Sequence, residues 1–268
     1  MLPTRGNTIA VVSSFLDPEA LASATGRLWT RVDVVASTAS TNADLVDAAR
    51  ADAPGGRVLV TADQQAGRGR FERVWECPPD RAVALSALVR PRRPMAEWGW
   101  LSLLVGIAVV DGLQAAAGVD VGLKWPNDVL VGEKKICGIL CEAVPSESGP
   151  AAVLGLGVNI ALTRQELPVP TATSLRLEGS DASATDVVLA ILAALQDHFL
   201  RWDAGGSLAT DYSRRCSTVG QQVAVHVAEN VTTVGRALGV DDAGCLIVQT
   251  GQGVRSFAAG DVVHLRKR

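Results

Sequence analysis

From Trp98 to Ala117 the chain is apolar at helical spacing, and it stops at Gly118, a residue suited to a left-handed helix end. A segment this long and this apolar has to be buried, so it is expected to be the central helix of the fold. Its most apolar run, Leu103 to Val110, falls short of the roughly 18–20 residues a bilayer span requires. The expectation is therefore a core helix and no membrane partner.

Short strands surround it. Val32, Val34 and Val35 read as one, and Val58 to Thr61 as a second after the turn Pro54-Gly55-Gly56. Ala82 to Val89, closed by Pro91 and Pro94, is a third. Leu123–Val131, Lys135–Val144 and Ala151–Ile160 are three more, split at Gly132 and at Ser146 to Pro150, and a last long helix is read over about Ser183–Leu208. Strands and helices interleave without a steady βαβ period, which predicts an α+β fold with a mixed sheet. After Tyr212 short strands follow at close spacing, separated by Asp241-Asp242-Ala243-Gly244 and Gly251-Gln252-Gly253, as in a small all-β barrel. The expected division is a lead-in segment 1–28 with one helical patch at Pro18–Ala24, a catalytic domain 29–212 and a C-terminal barrel 213–268.

Composition excludes several classes. With 48% hydrophobic and 20% charged residues the 268-residue chain is too apolar to be disordered. Its 25 Lys+Arg against 28 Asp+Glu leave no positive field for bulk nucleic-acid binding. Ile9 to Val12 is too short for a secretory core. Cys77, Cys137, Cys141, Cys216 and Cys245 form no CxxC pair, and His198, His226 and His264 are scattered, which argues against a disulfide framework or structural zinc and for a reducing cytoplasm. Cys137 and Cys141 read as core residues, His198 as a packed or surface residue, and Trp98 and Trp100 as packing side chains.

Three segments carry chemistry. Gly67-Arg68-Gly69-Arg70-Phe71-Glu72-Arg73-Val74-Trp75 alternates glycine and arginine just after a buried strand. Glycine lets backbone N–H groups approach an anion, and each guanidinium offers a planar fork to phosphate or carboxylate oxygens. It is neither a dinucleotide fingerprint nor a Walker loop, and taken alone it is as consistent with a mobile, solvated turn. Lys124-Trp125-Pro126-Asn127-Asp128 holds a lysine and an aspartate across a turn fixed by proline, with Lys134-Lys135 shortly after; without that neighbour the two lysines read as an exposed hairpin tip. Gly155-Leu156-Gly157-Val158-Asn159 is a strand whose glycines leave one face open to a flat ligand or mark a bulge. Ser37 to Asn42 supplies helix-start chemistry, and free N–H groups at that helix end would face a ligand.

Taken together and in this order, Ser40-Thr41-Asn42, Gly67 to Arg70, Lys124 to Asp128, Lys135 with Gly138-Ile139-Leu140, and Gly155 to Asn159 resemble the signatures of the biotin protein ligases. The likeness runs from about Val34 to Arg266 and includes Gly260-Asp261-Val262 near the C-terminus. Phe71-Glu72-Arg73 departs from the Arg-Gly-Arg continuation of many members and removes one positive charge and one glycine.

The resemblance implies a mixed-sheet catalytic domain of the biotin/lipoate ligase type with a C-terminal SH3-like barrel. It also implies a two-step reaction: biotin and MgATP give biotinyl-5′-AMP and pyrophosphate, and a lysine of a biotin carboxyl carrier domain of an acyl-CoA carboxylase is then acylated. Lys135, Arg68 and Asp128 would be catalytic, with Asp128 holding Mg²⁺ or orienting the attacking lysine. Ser40, Thr41, Asn42, Gln64, Gly67, Arg68, Trp75, Lys135, Gly138, Ile139 and Gly157 would bind biotin. Arg68, Gly69, Arg70, Arg73, Trp75, Lys124, Asn127 and Asn159 would bind the nucleotide. The Gly67–Gly69 loop, with unpaired arginines, would act as a lid. Alternatives are a lipoate–protein ligase, a biotin-responsive repressor, disfavoured because only about 30 residues precede the first catalytic strand, and a non-catalytic biotin-binding module.

Overall fold

The computed structural model describes residues 15–228 and 231–265. The expectations placed on Ile9–Val12 and Arg266 lie outside them. A seven-stranded mixed sheet is built from β1 (Arg31–Val34), β2 (Arg57–Thr61), β5 (Ala82–Val89), β6 (Gly122–Lys124), β7 (Asp128–Val131), β8 (Lys134–Val144) and β9 (Ala151–Asn159). Its order is β1-β2-β5-β9-β8-β7-β6, parallel at β1–β2 and antiparallel elsewhere. β3 (Gly67–Arg68) and β4 (Val74–Trp75) form a separate two-stranded hairpin.

The apolar helix is α3 (Trp100–Ala117), ended by Gly118 at φ 65°. It packs chiefly against α4 (Ala184–Asp203). By length and composition it is apolar enough to cross a membrane, but most of it is buried inside the protein. Leu103, Leu104, Val105, Ile107, Ala108 and Val109 all lie in the main core with Val187, Ile191 and Leu195 of α4. Burial of about 25 cal/mol per Å² of apolar surface is what fixes this layer beneath the sheet.

Three elements differ from the sequence reading, while the helical patch expected at Pro18–Ala24 is present as a short helix. Leu123–Val131 is two strands, because Trp125-Pro126-Asn127 turns the chain and returns it so that Lys124 pairs with Asp128. The last helix stops at Asp203, and Ala209–Arg215 forms a separate short helix, α5. α1 (Pro18–Ala22) is capped by Asp17, and its Leu21 is buried in the main core with Leu16 and Trp29. The indole N–H of Trp29 donates to the Leu192 carbonyl at 2.9 Å, so residues 16–29 are packed onto α4.

The C-terminal strands β10 (Gln222–Ala228), β11 (Val231–Val240), β12 (Leu246–Thr250), β13 (Gly253–Phe257) and β14 (Asp261–His264) form an antiparallel sheet of order β13-β12-β11-β10-β14. It is joined to the larger sheet by two tryptophans. Trp100 Nε1 donates to Asp241 O at 3.1 Å and Trp125 Nε1 to Gly244 O at 3.3 Å. Trp100 thus does more than pack. Gly99 and Gly244 meet backbone to backbone, and a Cβ on Gly244 would sit 2.8 Å from Gly99 C.

Candidate active site

A cleft of about 510 Å³ opens on the sheet face opposite α3, bounded by α2 (Thr41–Arg50), the β3–β4 hairpin, the β6–β7 turn and the start of β14. Strand register shows why. Gly138 pairs with Gly157, which pairs with Ala84, and Gly155 pairs with Ser86. Register partners share a face, so this face carries small residues and has a shallow floor. The floor is covered by the chain itself: a Cβ on Gly157 would lie 2.7 Å from Trp75 Cε2, and one on Gly138 2.9 Å from its Cζ3. The glycines seat the indole of Trp75 where the sequence reading left the strand open for a ligand.

Lys135 reaches the cleft through a bulge. Cys137 and Ile139 belong to the core cluster on the α3 side, and strict alternation would send Lys135 there too. The β7–β8 register shifts, with Val129 opposite Cys137 and Leu130 opposite Lys135, leaving Ile136 as the extra residue. A bulge of this kind re-aims a side chain. Lys135 Nζ consequently lies 2.6 Å from Asp128 Oδ1 and 5.7 Å from the centre of the Trp75 ring. Its backbone is clamped as well: Lys135 N–H donates to Thr171 O at 2.8 Å, and Thr173 N–H donates to Lys135 O at 2.9 Å.

At the other end of the cleft Ser40 caps α2, its Oγ accepting from Ala43 N–H at 3.4 Å. Gln64 Oε1 accepts the Thr41 N–H at 3.0 Å and lies 3.2 Å from the Thr41 hydroxyl. These N–H groups are therefore already satisfied, contrary to the expectation that they are free for a ligand. Asn42 is buried and saturated: Nδ2 donates to Leu140 O at 3.1 Å and Glu142 Oε2 at 2.7 Å, while Oδ1 accepts from Ser86 Oγ at 2.6 Å.

The hairpin arginines, expected to be unpaired, each have a partner. Arg68 Nη2 lies 3.4 Å from Glu142 Oε1, Arg70 Nη1 donates to Asn127 Oδ1 at 3.2 Å, and Arg73 forms an ion pair with Asp261. Burial is the main cause that lowers the Arg70 pKa, opposed by Asp261 and Asp128; a guanidinium remains charged regardless. Phe71 sits at φ 54°, the left-handed region, with Arg70 and Arg73 at 4.9 and 5.9 Å from its ring.

Of the residues singled out from sequence, Ser40, Thr41, Asn42, Gln64, Arg68, Gly69, Arg70, Arg73, Trp75, Lys124, Asn127, Asp128, Lys135, Gly138, Ile139, Gly157 and Asn159 all line the cleft. Gly67 does not; it pairs with Trp75, and a Cβ there would press on Gln64 Nε2 at 2.5 Å. Ile139 contributes backbone, its carbonyl accepting from Asn127 Nδ2 at 2.9 Å, while a Cβ on Gly106 of α3 would touch its Cδ1. Asn159 is buried and spends its amide N–H on Thr173 O at 2.9 Å.

Sequence reasoning missed Ser86, Glu142 and the 171–173 segment, which carry no motif of their own. Asp261, seen only as part of a C-terminal pattern, is on the rim. Burial pushes Cys137 and Cys141 up to about 12, which keeps both thiols protonated; Cys137 lies in the core, and Cys141, partly buried, packs against it. His198 Nε2 is 2.7 Å from Asp111 Oδ2, and neither residue lines the cleft.

A capped helix, a cationic hairpin and a lysine on a glycine-floored mixed sheet place the chain in the class covered by the Biotin/lipoate A/B protein ligase family, whose model matches residues 34–159. The Biotin protein ligase C terminal domain matches 218–265. The chain is 40% identical over 248 residues to the biotin–[acetyl-CoA-carboxylase] ligase of Mycobacterium tuberculosis, covering 90% of this chain and 91% of that one. It is 32% identical over 237 residues to the bifunctional ligase/repressor BirA of Bacillus spizizenii, with 86% and 72% covered. A crystallised biotin protein ligase from Aquifex aeolicus, in complex with biotin and ATP, shares the fold at a TM-score of 0.74 and 22% identity over 89% of this chain and 100% of that one. The chain belongs to the biotin protein ligase family.

Proposed function

We propose that the chain is an ATP-dependent biotin protein ligase acting on a biotin carboxyl carrier domain of an acyl-CoA carboxylase. The observation that carries this reading is Lys135, turned by the β8 bulge into a cleft that already gathers Arg68, Arg70 and Arg73. Its first step brings a carboxylate against a triphosphate, two anions that repel. Fixed cations in a partly desolvated cleft offset that repulsion as charge builds.

In the first step the biotin carboxylate oxygen attacks the α-phosphorus and the bond to the β-phosphate oxygen breaks, releasing pyrophosphate. Lys135 would contact both the carboxylate and the α-phosphate, with Arg68, Arg70 and Arg73 on the nucleotide. Thr41, Ser40 and Gln64 would read the ureido ring at the α2 end, and Trp75 would wall the apolar part. In the second step a carrier lysine amine attacks the acyl carbon and AMP leaves. Asp128, next to Lys135, would orient that amine.

The donor set also fits magnesium brought in with the triphosphate. One carboxylate plus phosphate oxygens is its ordinary environment, and Asp128 would supply the carboxylate. No group of three or more His, Cys, Asp or Glu side chains among the described residues suggests a resident metal.

Residues 29–212 would form the catalytic unit and 213–268 the barrel, which adds Asp261 to the rim. The reaction belongs in the cytoplasm and requires no nucleic acid or membrane. Transfer of labelled biotin from MgATP and biotin onto a carrier domain tests the reading, with Lys135→Ala as control. Absence of biotin-dependent ATP–pyrophosphate exchange, or equal exchange with lipoate, would overturn it.

A further inference from the structure

Glu142 lies on β8, outside the motifs read from the sequence and outside the cleft lining, yet its carboxylate is shared between Asn42 of α2 and Arg68 of the hairpin, which both line the cleft. One oxygen accepts from Asn42 Nδ2 at 2.7 Å, and both lie 3.4 Å from Arg68 Nη2. Asn42 in turn accepts from Ser86 Oγ at 2.6 Å; Ser86, its proton spent there, accepts from the Thr41 hydroxyl at 2.7 Å, and the Thr41 N–H donates to Gln64 Oε1 at 3.0 Å. A continuous chain of hydrogen bonds therefore runs from Gln64 through Thr41, Ser86, Asn42 and Glu142 to Arg68. It links the helix cap at one end of the cleft to the arginine hairpin at the other.

We propose that Glu142 is a positioning residue that holds Arg68 over the cleft and ties its placement to the Asn42–Ser86–Thr41 group; this rests on the ligase reading above. Arg68 is half exposed and stands on a two-residue strand. Glu142 is less exposed and stands on an eleven-residue strand, where it pairs with Val153 of β9, so the more rigid partner holds the less constrained one. Asn42 leaves Glu142 little rotational freedom, because its Nδ2 is also held by Leu140 O at 3.1 Å.

The test uses Glu142→Gln, which preserves shape and an acceptor for Asn42 but removes the charge facing Arg68, with Glu142→Asp as the charge-retaining control. Trypsin cleavage at Arg68 in the ligand-free protein should rise about fivefold in Glu142→Gln and less in Glu142→Asp, at an unchanged melting temperature. In the full reaction, biotin affinity should stay within about twofold while escape of biotinyl-AMP into solution rises about tenfold. The double variant Arg68→Ala/Glu142→Gln should be no leakier than Arg68→Ala alone, since coupled residues are non-additive. Unchanged cleavage at Arg68, or leakage that multiplies in the double variant, would overturn the role of Glu142. Wild-type protein that forms no adenylate would instead overturn the ligase reading, and the proteolysis would still decide the positioning role.

Discussion

Trp75 rests on Gly157: a Cβ at that glycine would lie 2.7 Å from the indole Cε2. Gly138, its register partner, makes the same close approach, so two adjacent strands surrender their side chains to one aromatic ring. Overpacking costs about 1–3 kcal/mol when neighbours cannot yield. Trp75 belongs to a two-residue strand and can yield, so Gly157→Ala should move the indole more than it destabilises the sheet. We expect a melting temperature within a few degrees of wild type, a shifted tryptophan emission, and at least a tenfold rise in KM for biotin. A normal KM with a shifted emission would show that the indole position is irrelevant to binding.

Gly155 meets a different constraint. An added Cβ would run directly into the Asn42 side chain, which cannot swing away without abandoning Ser86, Leu140 and Glu142. Leaving buried polar partners unsatisfied costs about 1–3 kcal/mol. Gly155→Ala and Asn42→Ala should each lower stability by that order in chemical denaturation, and the double variant should cost less than their sum, because both dissolve the same contact. Additive losses would show that the two positions are independent.

These two glycines show what the sequence discloses and what it hides. The apolar runs of β5, β8 and β9 are legible because turn residues bound them, and α3 because nothing but burial suits it. The α2 cap is legible because Ser40 stands just before a helical pattern. That Gly155 answers Asn42 while Gly157 answers Trp75 depends on register, which no local pattern states. Lys135 is legible through its motif, but its route into the cleft is not: alternation from Cys137 would send it to the core face, and the bulge at Ile136 turns it the other way. Ser86, the one polar residue of β5, and Glu142, near the end of β8, are invisible until their partners from α2 and the hairpin are in place. α5 is too short for periodicity to declare it, and Trp125-Pro126-Asn127 splits a run of strand-like residues that composition alone joins.

The joint between the two sheets should be sensitive to acid. His264 has its pKa lowered, first by burial and then by the positive charge of Lys124, and its Nε2 lies 3.0 Å from Thr218 Oγ1. Thr218 Oγ1 also accepts the Trp125 N–H at 3.2 Å. Because the folded form resists protonation, the unfolded chain binds the extra proton. The contribution is therefore complete above the ordinary histidine pKa of about 6.5 and is lost as pH falls below it toward the depressed folded value. His264→Gln should lose less melting temperature than wild type between about pH 7.5 and pH 5.5, on either side of the ordinary histidine pKa. An equal loss in both proteins would place the acid sensitivity elsewhere.

Lys135 gives the sharpest expectation for catalysis. Its ammonium is 2.6 Å from Asp128, and its backbone is held on both sides by residues 171 and 173, so it enters the cleft already placed. Preorganised charge of this kind stabilises the transition state more than the ground state, and losing it typically costs about 10²–10³ in rate. Lys135→Ala should slow biotin-dependent pyrophosphate release about 10²-fold or more. The paired side chains are about a third exposed, so the ion pair adds only about 1 kcal/mol or less to stability and the variant should remain folded. Once preformed biotinyl-5′-AMP is supplied, the acyl transfer step no longer needs the two anions to be brought together. Transfer to the carrier should then fall far less than adenylate formation does. Single-turnover measurements of both half-reactions check this, and equal losses in the two would place Lys135 in orientation of the acyl group instead of in charge neutralisation.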